Sequence, residues 1–119
     1  MDLEAYREYC LQKKGVTEEL PFDGNTLVYK VMGKIFTLTN MEIFESINLK
    51  CDPETALQLR EAHTGVVPGY HMDKKHWNTV RMDGNIPDTT LYQWIDDSYW
   101  LVVGKLSRRD KEWIEQKSQ

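Results

Sequence analysis

Leu27-Val28-Tyr29-Lys30-Val31-Met32-Gly33-Lys34-Ile35-Phe36-Thr37-Leu38-Thr39 reads as two short strands folded back around Gly33. Glycine tolerates the positive φ that a two-residue hairpin loop demands. With an even loop, Leu27, Tyr29 and Val31 share a face with Phe36 and Leu38, while Val28, Lys30, Ile35 and Thr37 share the other. A third run, Ser46 to Cys51, alternates Ile47, Leu49 and Cys51 with Ser46, Asn48 and Lys50. One face is apolar and the other mixed polar, the pattern of an antiparallel sheet covered on one side only.

Outward from this sheet, helices alternate with extended segments. Asp2 can cap a first helix reaching about Lys14, with Leu3, Tyr6 and Cys10 on one face and Gly15 as its stop. Val16 to Phe22 reads as extended, and Asp23-Gly24-Asn25 as a turn. Asp52-Pro53-Glu54 is a helix start, with a capping Asp, a first-turn Pro and an acid near the positive dipole end. That helix runs to about His63. Val67-Pro68-Gly69-Tyr70 fits a type II turn. His76 to Met82 reads as a strand closed by Asp83-Gly84. A long helix after Asp88 aligns Leu91, Ile95, Tyr99 and Val102, and Ser107-Arg108-Arg109-Asp110 opens a short polar last helix. The order implies an α+β fold of two layers, an antiparallel sheet with helices packed on one face.

The chain of 119 residues is expected to form one domain, residues 1–119. Hydrophobic residues at 40% and charged residues at 29% exclude a disordered composition. No apolar run approaches the roughly 20 residues that span a bilayer, and the acidic start lacks a signal-peptide pattern. Cys10 and Cys51 are too few for a disulfide scaffold, so reduced thiols and a cytoplasmic location are expected. The formal net charge of −4 runs against nucleic-acid binding, but residues 27–51 and 66–86 each carry +1. A local basic face on an acidic protein is therefore available.

Pro68-Gly69-Tyr70-His71-Met72 with Lys75-His76-Trp77-Asn78-Thr79 carries the densest chemistry. So placed, Lys74 and Lys75 can neutralise phosphates, Trp77 can stack on a base, and Asn78 can read a base edge. The same residues also fit a solvated Lys-Lys turn leading into a strand whose Trp is core. Lys30, Asn48, Lys50, Thr79 and Arg81 could add a basic sheet face around one aromatic. His63, His71 and His76 have spacings of eight and five, which place them on no single helix face. No metal site is expected from them, and His71 is read as positioning its loop. Ser98 lacks a nominable base, so it is read as a small residue for close helix–sheet packing.

Several stretches together resemble the MmcQ/YjbR family across nearly the whole chain. They are Pro21-Phe22, Val31-Met32-Gly33-Lys34-Ile35-Phe36, Asn48-Leu49-Lys50-Cys51-Asp52-Pro53-Glu54, the Pro68–Thr79 pieces quoted above, and Asp97-Ser98-Tyr99. The resemblance implies a CyaY-like fold and a DNA-binding role in a "double wing" mode, with hairpins as wings. It implies no catalytic residues and no cofactor. The expected contact set is Lys30, Lys34, Lys50, Lys74, Lys75, His76, Trp77, Asn78 and Arg81, on a non-enzymatic monomer. The competing expectation is a protein–protein interaction or chaperone-like adaptor module, using the acidic balance and aromatics such as Trp94, Trp100 and Trp113.

Overall fold

A computed structural model describes residues 1–22, 24–69 and 72–116. Asp23, Tyr70 and His71 lie outside the described residues, and with them part of the Asp-Gly-Asn turn and the loop role read for His71. The helices are α1 (Leu3–Leu11), α2 (Pro53–Ala62), α3 (Asp88–Val103) and α4 (Arg108–Glu115). The strands are β1 (Val16–Glu19), β2 (Thr26–Val31), β3 (Lys34–Asn40), β4 (Ser46–Lys50), β5 (Val66–Pro68) and β6 (Trp77–Arg81). They form one antiparallel sheet in the order β1-β2-β3-β4-β6-β5.

Local chemistry sets the boundaries. Asp2 accepts from the Ala5 N–H at 2.8 Å, Asp52 from Thr55 at 3.0 Å, and Ser107 from Asp110 at 3.2 Å, each satisfying an otherwise orphaned helix donor. The β2–β3 turn holds Met32 at φ 48° and Gly33 at φ 85°, the two successive left-handed residues of a type I′ hairpin. Gly69 is required for a reason other than the type II turn expected there. Its φ is not positive. β5 pairs through Pro68 with Asn78, and a Cβ on Gly69 would lie 2.7 Å from the Trp77 Cβ.

Helices cover one face. Tyr6 and Cys10 of α1, and Leu91, Ile95, Tyr99 and Val102 of α3, pack on Leu27, Tyr29, Val31, Phe36, Ile47, Leu49 and Val80. Ile114 of α4 adds to this core, so the last helix is not wholly polar in function. The register departs from the expectation at one point. The β2–β3 pairing shifts after Tyr29, leaving Phe36 as an extra residue in β3. Phe36 and Thr37 therefore both enter the helix-covered layer, and Leu38 turns to the open face opposite Val28 and Asn48. The expected burial of Leu38 and exposure of Thr37 are thus exchanged. Thr37 bonds the Tyr6 hydroxyl at 2.9 Å.

The bulge also parts β3 from β4. Their pairing covers only Thr37–Leu49 and Leu38–Asn48. Beyond it, Ser98 of α3 replaces the missing ladder bond. Its Oγ accepts from the Lys50 N–H at 2.9 Å and donates to the Phe36 carbonyl at 2.5 Å. No helix among the described residues is long and apolar enough to cross a membrane.

Candidate functional site

The open face of the sheet bears the side chains that α1, α2 and α3 leave uncovered. The β4–β6 register sets Lys50 beside Trp77, Asn48 beside Thr79 and Ser46 beside Arg81. The β2–β3 register sets Lys30 beside Ile35 on the same face. Lys30 and Lys50 thus lie away from the helices, as alternation implies.

A notch forms where the bulge separates β3 from β4. A depression of about 540 Å³ there is lined by Lys30, Lys34, Lys50 and Lys105, with Ile35, Trp77 and Val102 among its walls. Four cationic side chains and no carboxylate face this volume. Lys105, just past the end of α3, was invisible to strand-based reasoning because α3 reaches the notch only through the fold. Lys30 is partly spoken for: its ammonium lies 3.0 Å from Glu19, whose carboxyl it holds below the ordinary value. Among the described residues, Lys34, Lys50 and Lys105 have no ion-pair partner within 4.0 Å. The Lys50 ammonium sits 6.0 Å from the centre of the Trp77 ring, at the edge of cation–π reach.

The rest of the expected contact set divides. Lys74 and Lys75 are exposed on the loop before β6. His76 is held by Asp73, Nδ1 to carboxylate 2.7 Å, and Asp73 also accepts from the Lys75 N–H at 2.9 Å. Arg81 is exposed at the far end of the same strand. There it shares a separate hollow with Glu45 and Asp83. Trp77 is only 8% exposed, so its ring props the Lys50 side of the notch and is not an open stacking platform.

Asn78 corrects the base-reading expectation. It is 1% exposed and points to the helix layer, where its Oδ1 accepts from Arg60 Nε at 2.7 Å and its Nδ2 donates to the Ala56 carbonyl at 3.3 Å. Arg60 also donates to the backbone carbonyls of Lys74 and Trp77. A guanidinium in α2 therefore fastens the Lys74–Trp77 loop, a role no sequence motif announces. His63 meets the Trp94 ring edge-on at 5.2 Å. Among the described residues no three His, Cys, Asp or Glu side chains converge as a metal cluster. The Cys51 thiol is pushed up to about 11, first by burial and then by Asp52 and Asp97.

Known proteins share sequence and architecture with this chain. The family model described as YjbR matches residues 11–101. The chain belongs to the YjbR family. The YjbR protein of Escherichia coli K12 is 32% identical over 117 residues, covering 98% of this chain and 99% of its own length. YbdF of Escherichia coli O157:H7 is 40% identical over 93 residues, 77% of this chain and 76% of its own. Among solved structures, the Deinococcus radiodurans protein DR2400 superimposes with a TM-score of 0.88 at 34% identity, covering 97% of this chain and 88% of the other. This YjbR-family chain therefore shares the two-layer α+β architecture with proteins from distant bacteria.

Proposed function

We propose that this YjbR-family protein binds DNA without catalysing a reaction on it, and that the lysine notch supplies the phosphate contacts. The supporting observation is the convergence of Lys30, Lys34, Lys50 and Lys105 on one depression free of carboxylates. Like charges gathered around one depression repel one another and gain from an anion that enters it. Lys74 and Lys75, exposed on the loop that leads into Trp77, add further cationic side chains. Phosphate contacts of this kind supply affinity without reading sequence. The engagement of Asn78 inside the fold agrees with a low sequence preference.

The test is a salt titration of binding to DNA, followed by fluorescence anisotropy. The logarithm of the association constant should fall linearly with the logarithm of salt concentration. On duplex DNA each phosphate-contacting lysine removed should reduce that slope by about 0.9. A Lys34→Ala, Lys50→Ala, Lys105→Ala variant that stays folded and binds as tightly as the parent would refute the assignment.

Protein association is the second reading, favoured by the 53% exposure of Trp100 on α3. A contact driven by that ring would survive the salt that abolishes phosphate binding.

A further inference from the structure

The lysine notch adjoins a larger hollow. Ile35 lines both. On its other side, the open sheet face forms a cleft of about 1000 Å³, walled by Phe22, Leu38, Val67, Met72 and Met82. Phe22 comes from the segment between β1 and β2, and Met72 from the segment between β5 and β6. The two segments thus reach the same face from opposite edges of the sheet.

We infer that this face takes single-stranded rather than duplex nucleic acid, with phosphates along the lysine notch and unpaired bases laid across Ile35 into the cleft. The inference rests on the nucleic-acid function proposed above and specifies its ligand. Size is the first ground. A cleft of about 1000 Å³ lies at the top of the range for small-molecule sites, room enough for splayed bases. A duplex keeps its bases inside the stack and must unstack and unpair one to extrude it. Chemistry is the second. The cleft sets Ile35, Leu38 and Val67 around Asn48 and Thr79, and these two central polar groups are engaged with each other. Thr79 Oγ1 donates to Asn48 Oδ1 at 2.6 Å, and Asn48 Nδ2 donates to the Leu38 carbonyl at 3.3 Å. Such a floor accepts the flat faces of bases and does not question their edges. Phe22, 70% exposed, supplies a ring at the rim on which a base can stack. Charge gives the third ground and the direction. The charged residues lining the notch are all lysines, whereas Glu45 and Asp83 accompany Arg81 at the far end of the cleft. The backbone is therefore seated at the notch and the bases point away from it.

The experiment compares a labelled mixed-sequence 12-nucleotide strand with its own duplex by anisotropy, at one fixed salt concentration. The single strand should bind at least tenfold more tightly. Phe22→Ala should weaken the single strand roughly tenfold and leave the duplex unchanged. Leu38→Glu, which plants a carboxylate on the cleft floor, should weaken it more. Phe22 is exposed and Leu38 half-buried on the open face, so circular dichroism melts establish that each variant is folded before binding is compared. Equal or tighter binding of the duplex, or indifference of the single strand to both substitutions in folded variants, overturns the inference and leaves salt-sensitive DNA binding standing. Absence of salt-sensitive binding to either form overturns both.

Discussion

Ser98→Ala removes one oxygen and tests how the sheet is closed at the bulge. Ser98 is fully buried, and its Oγ serves both the Lys50 N–H and the Phe36 carbonyl. Alanine fits the same space, so no cavity arises and no strain is introduced. What is lost is the partner of two backbone groups in a place where β3 and β4 are too far apart to pair. A buried polar group left unsatisfied costs about 1–3 kcal/mol. The Phe36 carbonyl is the more deeply buried of the two, while the Lys50 N–H lies nearer the notch, where water can reach. The expected destabilisation is therefore about 2–4 kcal/mol, a large share of the 5–15 kcal/mol that holds a typical domain. For a chain of this length it should lower the melting temperature by roughly 8–16 °C. Urea unfolding monitored by circular dichroism measures it directly, and the m-value should not change. A loss below about 0.5 kcal/mol would show that the Ser98 hydroxyl is not the closure of the bulge.

Other substitutions probe separate parts of the fold. Phe36→Ala should cost about 3–5 kcal/mol, and Leu38→Thr under about 1 kcal/mol; equal costs in urea melts would contradict the bulge. Glu18 pairs with Arg7 at 2.9 Å and accepts the Tyr29 hydroxyl at 2.6 Å, and Arg7 above all holds its carboxyl below the usual range. A carboxyl whose folded-state value is depressed stabilises above its unfolded value, about pH 4.3, and loses that contribution as pH falls through the folded value. Glu18→Gln should therefore lower stability at pH 7 and flatten the acid limb of the stability profile; an unchanged limb would remove the Arg7 pair from the account. Cys10 is fully buried with its thiol pushed far up by desolvation, and Cys51 is raised to about 11. Both should react with a disulfide reagent at pH 7 far more slowly than in the urea-unfolded chain, and fast native labelling of Cys10 would refute its placement.

Period-two alternation in β2, β4 and β6, and the stripe Leu91–Ile95–Tyr99–Val102, were enough to assemble the sheet and its covering helix. Capping residues Asp2, Asp52 and Ser107 gave three helix starts within a residue. The bulge at Phe36 was not legible, because an inserted residue changes no letter of the pattern and shows only against a partner strand. β5 was read as a turn because Pro68-Gly69 is turn chemistry; pairing with Asn78 and the close approach of Trp77 override it. At the candidate site, Lys30, Lys34 and Lys50 were named from their strands and lie together. Lys105, just past the end of α3, and Arg60, on α2, were missed because the approach of each helix to the site depends on tertiary packing. Asn78 was misjudged although alternation with Trp77 and Thr79 already sets it on the other face, where it meets Arg60.

The order β1-β2-β3-β4-β6-β5 leaves only two strands at the sheet margins, and neither invites growth. β5 is three residues long and ends at Pro68, which has no N–H to offer a further strand. β1 has four residues, and its last two are the charged Glu18 and Glu19, so the edge it offers is short and ends in polar side chains. The fold is thereby protected from edge-to-edge polymerisation while its broad face stays open. A protein can keep a bare sheet surface in water at high concentration when its rims refuse to template a neighbour.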